Sequence, residues 1–124
     1  MIPIMTVDDS KMMRMMIQKV LKEKCEVVGE APTGEEAVSL FQSLRGEGKK
    51  PEIVFMDFNM EGMNGLEASS EILKQEPDQK IILVTALNSQ ELMMEAIDAG
   101  IKEFVVKPIT EEKIMGAFDN VIDG

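Results

Sequence analysis

Five polar residues follow short apolar segments of this chain, in positions where their side chains could do chemistry together. They are Asp8, Asp9, Asp57, Thr85 and Lys107. Crowded carboxylates repel one another and raise the pKa of at least one member unless they share a cation. Oxygen ligands without imidazole or thiolate favour Mg²⁺, or Mn²⁺, as that cation. A carboxylate nucleophile, a metal, a lysine and a hydroxyl donor together suit the formation of an aspartyl phosphate.

Taken singly, each of these residues has an ordinary structural interpretation. Asp57 could stabilise a turn, and Asp8 with Asp9 could favour the start of a helix. Lys107 could be a solvated cation at the rim of a sheet, and Thr85 could be a strand or cap residue. The chemical interpretation therefore depends on the five side chains lying close together.

The apolar segments before these residues have the composition of strands buried on both faces. We predict strands at Ile2–Val7, Glu26–Gly29, Ile53–Met56, Ile81–Val84 and Phe104–Val106. Stretches with a helical spacing of apolar residues follow each of them. Five β–α units predict an α/β fold, in which five helices cover a doubly wound, five-stranded parallel sheet. All strands of a parallel sheet end at the same edge, so the five polar residues should converge there.

Apolar spacing and cap residues also predict how the helices pack and where they begin. The faces expected to meet the sheet are Met13, Met16, Ile17, Val20 and Leu21 in the first helix, and Leu92, Met93, Ala96 and Ile97 in the fourth. Thr33 with Glu36 and Asn64 with Glu67 have the spacing of an N-cap and its reciprocal partner. Gly100 and Thr110 stand where a left-handed C-cap and an N-cap belong.

Composition limits the class of protein. The chain has 124 residues, enough for one domain with a core, and no histidine, while Cys25 is its single cysteine. Zinc sites of the Cys/His kind and disulfides are excluded, and a reducing, cytoplasmic setting fits best. The net charge of −10 argues against binding to nucleic acid and to anionic membranes.

Methionine is unusually frequent, with 12 residues and no tryptophan or tyrosine. Most of these side chains should fill the core. Met12 and Met15 lie off the apolar face of the first helix. They are interpreted either as scattered exposure or as an adaptable contact for a partner near the acidic residues, with Met93 as a second candidate.

Several stretches of the chain, taken together, resemble the receiver domains of two-component response regulators, and among them stand-alone CheY-like chemotaxis regulators. The stretches that carry the resemblance are Val7-Asp8-Asp9-Ser10, Ala31-Pro32-Thr33-Gly34-Glu35-Glu36-Ala37, Asp57-Phe58-Asn59-Met60, Met63-Asn64-Gly65, Val84-Thr85-Ala86, Ala99-Gly100 and Phe104-Val105-Val106-Lys107-Pro108. They span essentially all of residues 1–124, which are expected to form a single receiver domain without an output domain. The resemblance implies a flavodoxin-like strand order of 2-1-3-4-5.

The same resemblance implies a role for each matching residue. Asp57 would accept a phosphoryl group from a histidine kinase of the CheA kind. Asp8, Asp9, Asp57 and the backbone carbonyl of Asn59 would hold Mg²⁺, and Thr85 and Lys107 would contact the phosphoryl group. Phe104 matches an aromatic switch residue, and the side chains of Asn59 and Leu87 match positions that modulate hydrolysis. The Lys107–Pro108 bond is expected to be cis.

Signal output would come from altered protein binding at the surface formed by helix four, strand five and helix five. The downstream target could be a flagellar or archaellar motor switch, or the chain could act in a phosphorelay or developmental control. The protein would assist its own phosphorylation and dephosphorylation and would not be an enzyme acting on other substrates.

The chain departs from the family pattern at two places. Glu61-Gly62 replaces the usual proline after Met60, which could loosen the loop after Asp57. Thr6 is polar within the first strand, and we expect its hydroxyl to bond to the backbone.

Three other classes of protein fit the sequence less well. An aspartate-nucleophile phosphatase of the haloacid-dehalogenase kind would carry a general acid where Asn59 stands. A degenerate receiver would lack Asp57 or Lys107, and a flavin-binding module would need aromatic residues and a phosphate loop that this sequence does not have.

Overall fold

The computed structural model describes residues 1–124 and contains one parallel sheet of five strands that alternate with five helices. The strands are β1 (Ile2–Val7), β2 (Cys25–Ala31), β3 (Ile53–Asp57), β4 (Lys80–Thr85) and β5 (Glu103–Val106). The helices are α1 (Lys11–Leu21), α2 (Gly34–Gly46), α3 (Gly65–Gln75), α4 (Gln90–Ala99) and α5 (Glu111–Asp123). The strand order is β2-β1-β3-β4-β5. The predicted fold class and strand order are therefore confirmed.

Helices cover both faces of the sheet and create two hydrophobic cores. Helices α1 and α5 pack together on one face, against β1 and β3 residues such as Ile4 and Phe55. Helices α2, α3 and α4 pack on the other face, against Met5, Val54 and Met56. Successive strand residues point to opposite faces, which explains why the sequence shows unbroken apolar runs. No helix has both the length and the hydrophobicity that crossing a membrane requires.

Strand β2 is longer than the sequence predicted. It begins at Cys25 and ends at Ala31, and it pairs with β1 with one register shift, between Ile4 and Met5 of β1. Glu26 and Glu30 are exposed, because β2 lies at the edge of the sheet. Glu30 interrupts the apolar run after Gly29, so the pattern of buried strands underestimated the extent of this edge strand.

Two of the predicted core residues face solvent instead. The side chain of Met16 is 40% exposed, because α1 turns Ile17 and Leu21 to the sheet and Met16 lies beside Met15. Ile97 is 57% exposed, because α4 packs through Leu92 and Ala96. Both residues lie next to the buried arc of their helix, where a small rotation decides whether a side chain is covered.

The predicted N-caps form at three helices. Thr33 and Thr110 accept hydrogen bonds from the backbone three residues later, and Asn64 forms the full reciprocal pair with Glu67. Gly100 ends α4 with φ of 111°, in the left-handed region.

The prediction for Thr6 was wrong in its partner. The Thr6 hydroxyl accepts a hydrogen bond from Gln18 Nε2 at 3.0 Å, so a side chain of α1 satisfies this buried group.

Candidate functional site

Asp57 is the last residue of β3 and its side chain is buried. Backbone hydrogen bonds hold the loop that follows, since Phe58 N donates to Val84 O at 2.8 Å and Gly65 N donates to Phe58 O at 3.0 Å. A Cβ atom at Gly65 would collide with the backbone carbonyl of Asp57 and with Phe58. The start of α3 therefore lies directly on the backbone of the Asp57 loop, which only glycine permits.

Asp8, Asp9 and Asp57 form a carboxylate cluster at the C-terminal edge of the sheet. One oxygen from each residue lies within 4.8 Å of the others. Asp8 and Asp57 are buried and Asp9 is exposed, so the cluster opens to solvent on one side. Asp57 Oδ2 is buried and has no hydrogen-bond partner. An all-oxygen donor set with an unpartnered carboxylate oxygen fits a hard divalent cation such as Mg²⁺.

Lys107 and Thr85 complete the arrangement around Asp57. The ammonium Nζ of Lys107 lies 2.9 Å from Asp57 Oδ1, and the backbone N–H of Lys107 donates to Thr85 O at 2.8 Å. Thr85 is buried at the end of β4, and its hydroxyl accepts from Leu87 N at 3.0 Å. Thr85 therefore shapes the following turn, while Ser89 is the N-cap of α4. The Lys107–Pro108 peptide bond is cis, as expected.

The electrostatics of the cluster are set by burial. Burial raises the pKa of Asp8 to about 6, the nearby Asp57 carboxylate adds to the rise, and a hydrogen bond from the backbone of Ser10 opposes it. Burial also raises the pKa of Asp57, and Lys107 opposes that rise through its hydrogen bond and its charge. Three carboxylates with one ammonium leave a local excess of negative charge that a divalent cation would offset.

The loop after Asp57 is tied to neighbouring elements at two points. Asn59 is exposed, and its Oδ1 accepts from Ala86 N at 3.4 Å. Met63 N donates to Glu35 Oε2 at 3.1 Å, and Gly62 adopts φ of 74° beside that carboxylate. Glu35 in the first turn of α2 thus provides a tether in the stretch where the sequence lacks the usual proline.

The remaining predicted residues lie around this centre. Phe104 in β5 is half-buried and packs against the core beneath α2, α3 and α4, three positions before Lys107. The side chain of Leu87 is exposed in the loop after β4. The structure therefore brings Asp8, Asp9, Asp57 and Lys107 together, with Thr85 bonded to the backbone of Lys107.

Sequence reasoning missed three residues that contact the site. The packing role of Gly65 was not predicted. The N-cap residue Asn64 before it did indicate that a helix begins at this position. No sequence pattern predicted the contacts of Glu35 and Arg14, because each side chain meets a backbone group: Glu35 accepts from Met63 N, and Arg14 Nη1 donates to the carbonyl of Asp8.

Known proteins are similar to this chain in sequence and in fold. The response regulator receiver domain family matches residues 4–119. The chemotaxis protein CheY of Thermotoga maritima is 42% identical over 119 residues, which cover 95% of each chain. The chemotaxis protein CheY of Bacillus subtilis is 36% identical, with 97% of each chain covered.

Solved structures agree with the sequence matches. A CheX–CheY–BeF₃–Mg complex from Borrelia burgdorferi contains a chain with a TM-score of 0.90 and 25% identity, covering 98% of this chain and 89% of that one. The chemotaxis protein CheY4 of Vibrio cholerae has a TM-score of 0.86 and 27% identity, with 98% of each chain covered.

Proposed function

The chain belongs to the response regulator receiver domain family, and we propose on that basis that Asp57 is its phosphoryl acceptor. As a response regulator it acts in two-component signal transduction, and its chemotaxis relatives make chemotaxis the favoured process. One observation carries the choice of acceptor. Asp57 is held by Lys107 through one carboxylate oxygen, while the other oxygen is buried without a partner beside Asp8 and Asp9.

The proposed donor is the phosphohistidine of a CheA-like histidine kinase. A carboxylate oxygen of Asp57 attacks phosphorus, the phosphorus–nitrogen bond breaks, and its electron pair stays on the imidazole nitrogen of the kinase. The product is an acyl phosphate on Asp57 and a free histidine. Lys107 then pairs with a phosphoryl oxygen, and the Thr85 hydroxyl donates to another. Attack by water on phosphorus later releases phosphate and restores the carboxylate.

The proposed metal ligands are Asp8, Asp9, Asp57 and the backbone carbonyl of Asn59. When bound, Mg²⁺ (or Mn²⁺) would neutralise the phosphoryl oxygens during transfer. The carboxylates would hold the ion at the C-terminal ends of the strands, and the burial of Asp8 and Asp57 would limit the access of competing water. This role requires Asp8 to be ionised, which its pKa of about 6 allows at neutral pH.

Output is proposed to arise from a population shift. New contacts of Thr85 and Lys107 with the phosphoryl group would favour an arrangement in which Phe104 turns inward and the α4–β5–α5 surface changes. Met94 and Ile97 are 59% and 57% exposed, so α4 offers apolar side chains to a partner. The downstream target would be a motor switch protein in chemotaxis, and a phosphorelay or developmental partner is the alternative.

We further propose that residues 1–124 act as one receiver in the cytoplasm, and that catalysis is limited to the protein's own phosphorylation and dephosphorylation. The position of a phosphatase general acid is occupied by Asn59, whose amide cannot transfer a proton.

Intact-mass measurement after incubation with acetyl phosphate tests the proposal. We expect a single phosphoryl addition that needs Mg²⁺ and is absent in Asp57→Asn. Asp78→Asn is the matched control and should leave phosphorylation unchanged. Asp78 is exposed and lies before the start of β4, at the end of the strand opposite to Thr85. A phosphoryl addition that persists in Asp57→Asn would refute the assignment, and rapid turnover of a small phosphate ester would support a hydrolase instead.

A further inference from the structure

Arg14 on α1 connects three segments at the end of β1. Its side chain is only 13% exposed, its Nε donates to Glu30 Oε1 on β2 at 2.9 Å, and its Nη1 donates to the backbone carbonyl of Asp8. That carbonyl belongs to the peptide group that joins Asp8 to Asp9. The guanidinium therefore fixes the backbone from which both carboxylates project.

We propose that Arg14 is a positioning residue for the metal site, which orients Asp8 and Asp9 by holding the peptide group between them. The inference rests on the proposed function, because it presupposes that the carboxylate cluster binds Mg²⁺. A planar guanidinium suits this role, since its donors have fixed directions and both can be used at once.

The surroundings of Arg14 hold it in place. The hydrogen bond from Arg14 lowers the pKa of Glu30, so the ion pair stays charged through the neutral range. Gln18, one turn further along α1, donates to the buried hydroxyl of Thr6 in β1. Helix α1 is thus joined to β1 and β2 by side-chain hydrogen bonds directly beneath the carboxylate cluster.

The contacts of Arg14 indicate a role beyond stabilising the fold. Glu30 is 43% exposed, so solvent screens its ion pair with Arg14 and reduces the contribution of that pair to stability. The other groups of Asp8 are also constrained, since its N–H donates to Ala31 O at 3.1 Å and its Oδ1 accepts from Ser10 N at 2.9 Å. The bond from Arg14 to the carbonyl completes the fixation of this residue.

Mg²⁺ affinity, measured by calorimetric titration of the whole chain, tests the role. Removing a residue that supports a metal ligand typically weakens metal binding by about 10- to 100-fold, and we expect a loss in this range for Arg14→Met. Arg14→Lys keeps the positive charge but loses the planar guanidinium that bonds to two groups at once, so its Mg²⁺ affinity should be intermediate. Arg45→Met is the matched control: Arg45 forms an ion pair with Glu76 at the same 2.9 Å, far from the cluster, and its loss should change affinity by less than about twofold.

A second variant guards against a simple folding defect. Glu30→Gln keeps the packing but weakens the anchor of Arg14, so it should lower Mg²⁺ affinity less than Arg14→Met does and shift the NMR signal of the Asp9 amide. Wild-type affinity in Arg14→Met, or an equal loss in Arg45→Met, would overturn the inference while leaving the proposed function intact. Absence of Mg²⁺ binding by the wild-type chain would instead overturn both.

Discussion

The ammonium of Lys107 lies 2.9 Å from Asp57 Oδ1, while Asp57 Oδ2, on the same buried carboxylate, has no hydrogen-bond partner. A single cation thus orients the carboxylate and leaves one of its oxygens free of competing bonds. The two residues are 50 positions apart in the chain and meet because β3 and β5 end at the same edge of the sheet.

The first prediction concerns the cation itself. Lys107→Met should slow phosphorylation of Asp57 by acetyl phosphate, because charge on the phosphoryl oxygens then loses its partner. Loss of one such electrostatic contact costs about 10²-fold or more in enzymes, and at least about tenfold is expected here because Mg²⁺ would supply part of the charge. Intact mass followed over time gives the rate. Lys102→Met, an exposed lysine before β5, should retain the wild-type rate.

The second prediction concerns the pH dependence of stability. The pKa of Asp8 is about 6 in the folded chain and close to 3.8 when unfolded, so between these values the native state binds more protons. Stability should therefore fall as pH rises through this window and recover on acidification from pH 7 to 5, by about 1 kcal/mol. Urea unfolding without Mg²⁺ at the two pH values measures the difference.

Two controls accompany the pH experiment. Asp8→Asn carries no titrating carboxyl at position 8, so its stability without Mg²⁺ should exceed that of the wild type at pH 7 and vary less with pH. Saturating Mg²⁺ should raise the stability of the wild type at pH 7 and not that of the variant. A wild-type chain that loses stability on going from pH 7 to 5 would contradict the assigned pKa.

The third prediction compares two glycines in helices. Gly65→Ala should destabilise the fold by more than about 2 kcal/mol, because the new Cβ would overlap the carbonyl of Asp57 at the start of α3. Gly116→Ala in α5 meets nothing within 4 Å and should raise stability by about 0.5–1 kcal/mol, since alanine favours a helix. Thermal unfolding of both variants gives the comparison. If Gly65→Ala were as stable as the wild type or more stable, α3 would not rest on the Asp57 loop.

The fourth prediction separates phosphorylation from the response to it. Thr85→Ala removes the hydroxyl but neither the nucleophile nor the cation, so Asp57 should still be fully phosphorylated. The NMR changes at Phe104 and α4 that phosphorylation causes should become smaller. Thr85→Ser restores the hydroxyl and should restore those changes. A full response in Thr85→Ala would exclude the hydroxyl from the switch.

The sequence alone determined the elements and the edge at which the chemistry lies. Apolar runs in β1, β3 and β4 identified buried strands, and polar residues directly after them had to meet at one edge of a parallel sheet. Local spacing also identified the caps Thr33, Asn64 and Thr110, because capping involves residues only three positions apart. The family resemblance supplied the strand order, which periodicity does not contain.

Only the tertiary structure decided the contacts that depend on how elements are rotated and seated against each other. Met16 and Ile97 face solvent because their helices bury neighbouring residues instead, Ile17 and Leu21 in α1 and Leu92 and Ala96 in α4. Glu35 reaches Met63 N across 28 residues, and Arg14 reaches the carbonyl of Asp8 while paired with Glu30. These side chains bond to backbone groups, which are the same in nearly every residue type, so no sequence pattern identifies the positions of these contacts. Their partners are set by packing, and packing exists only in the folded chain.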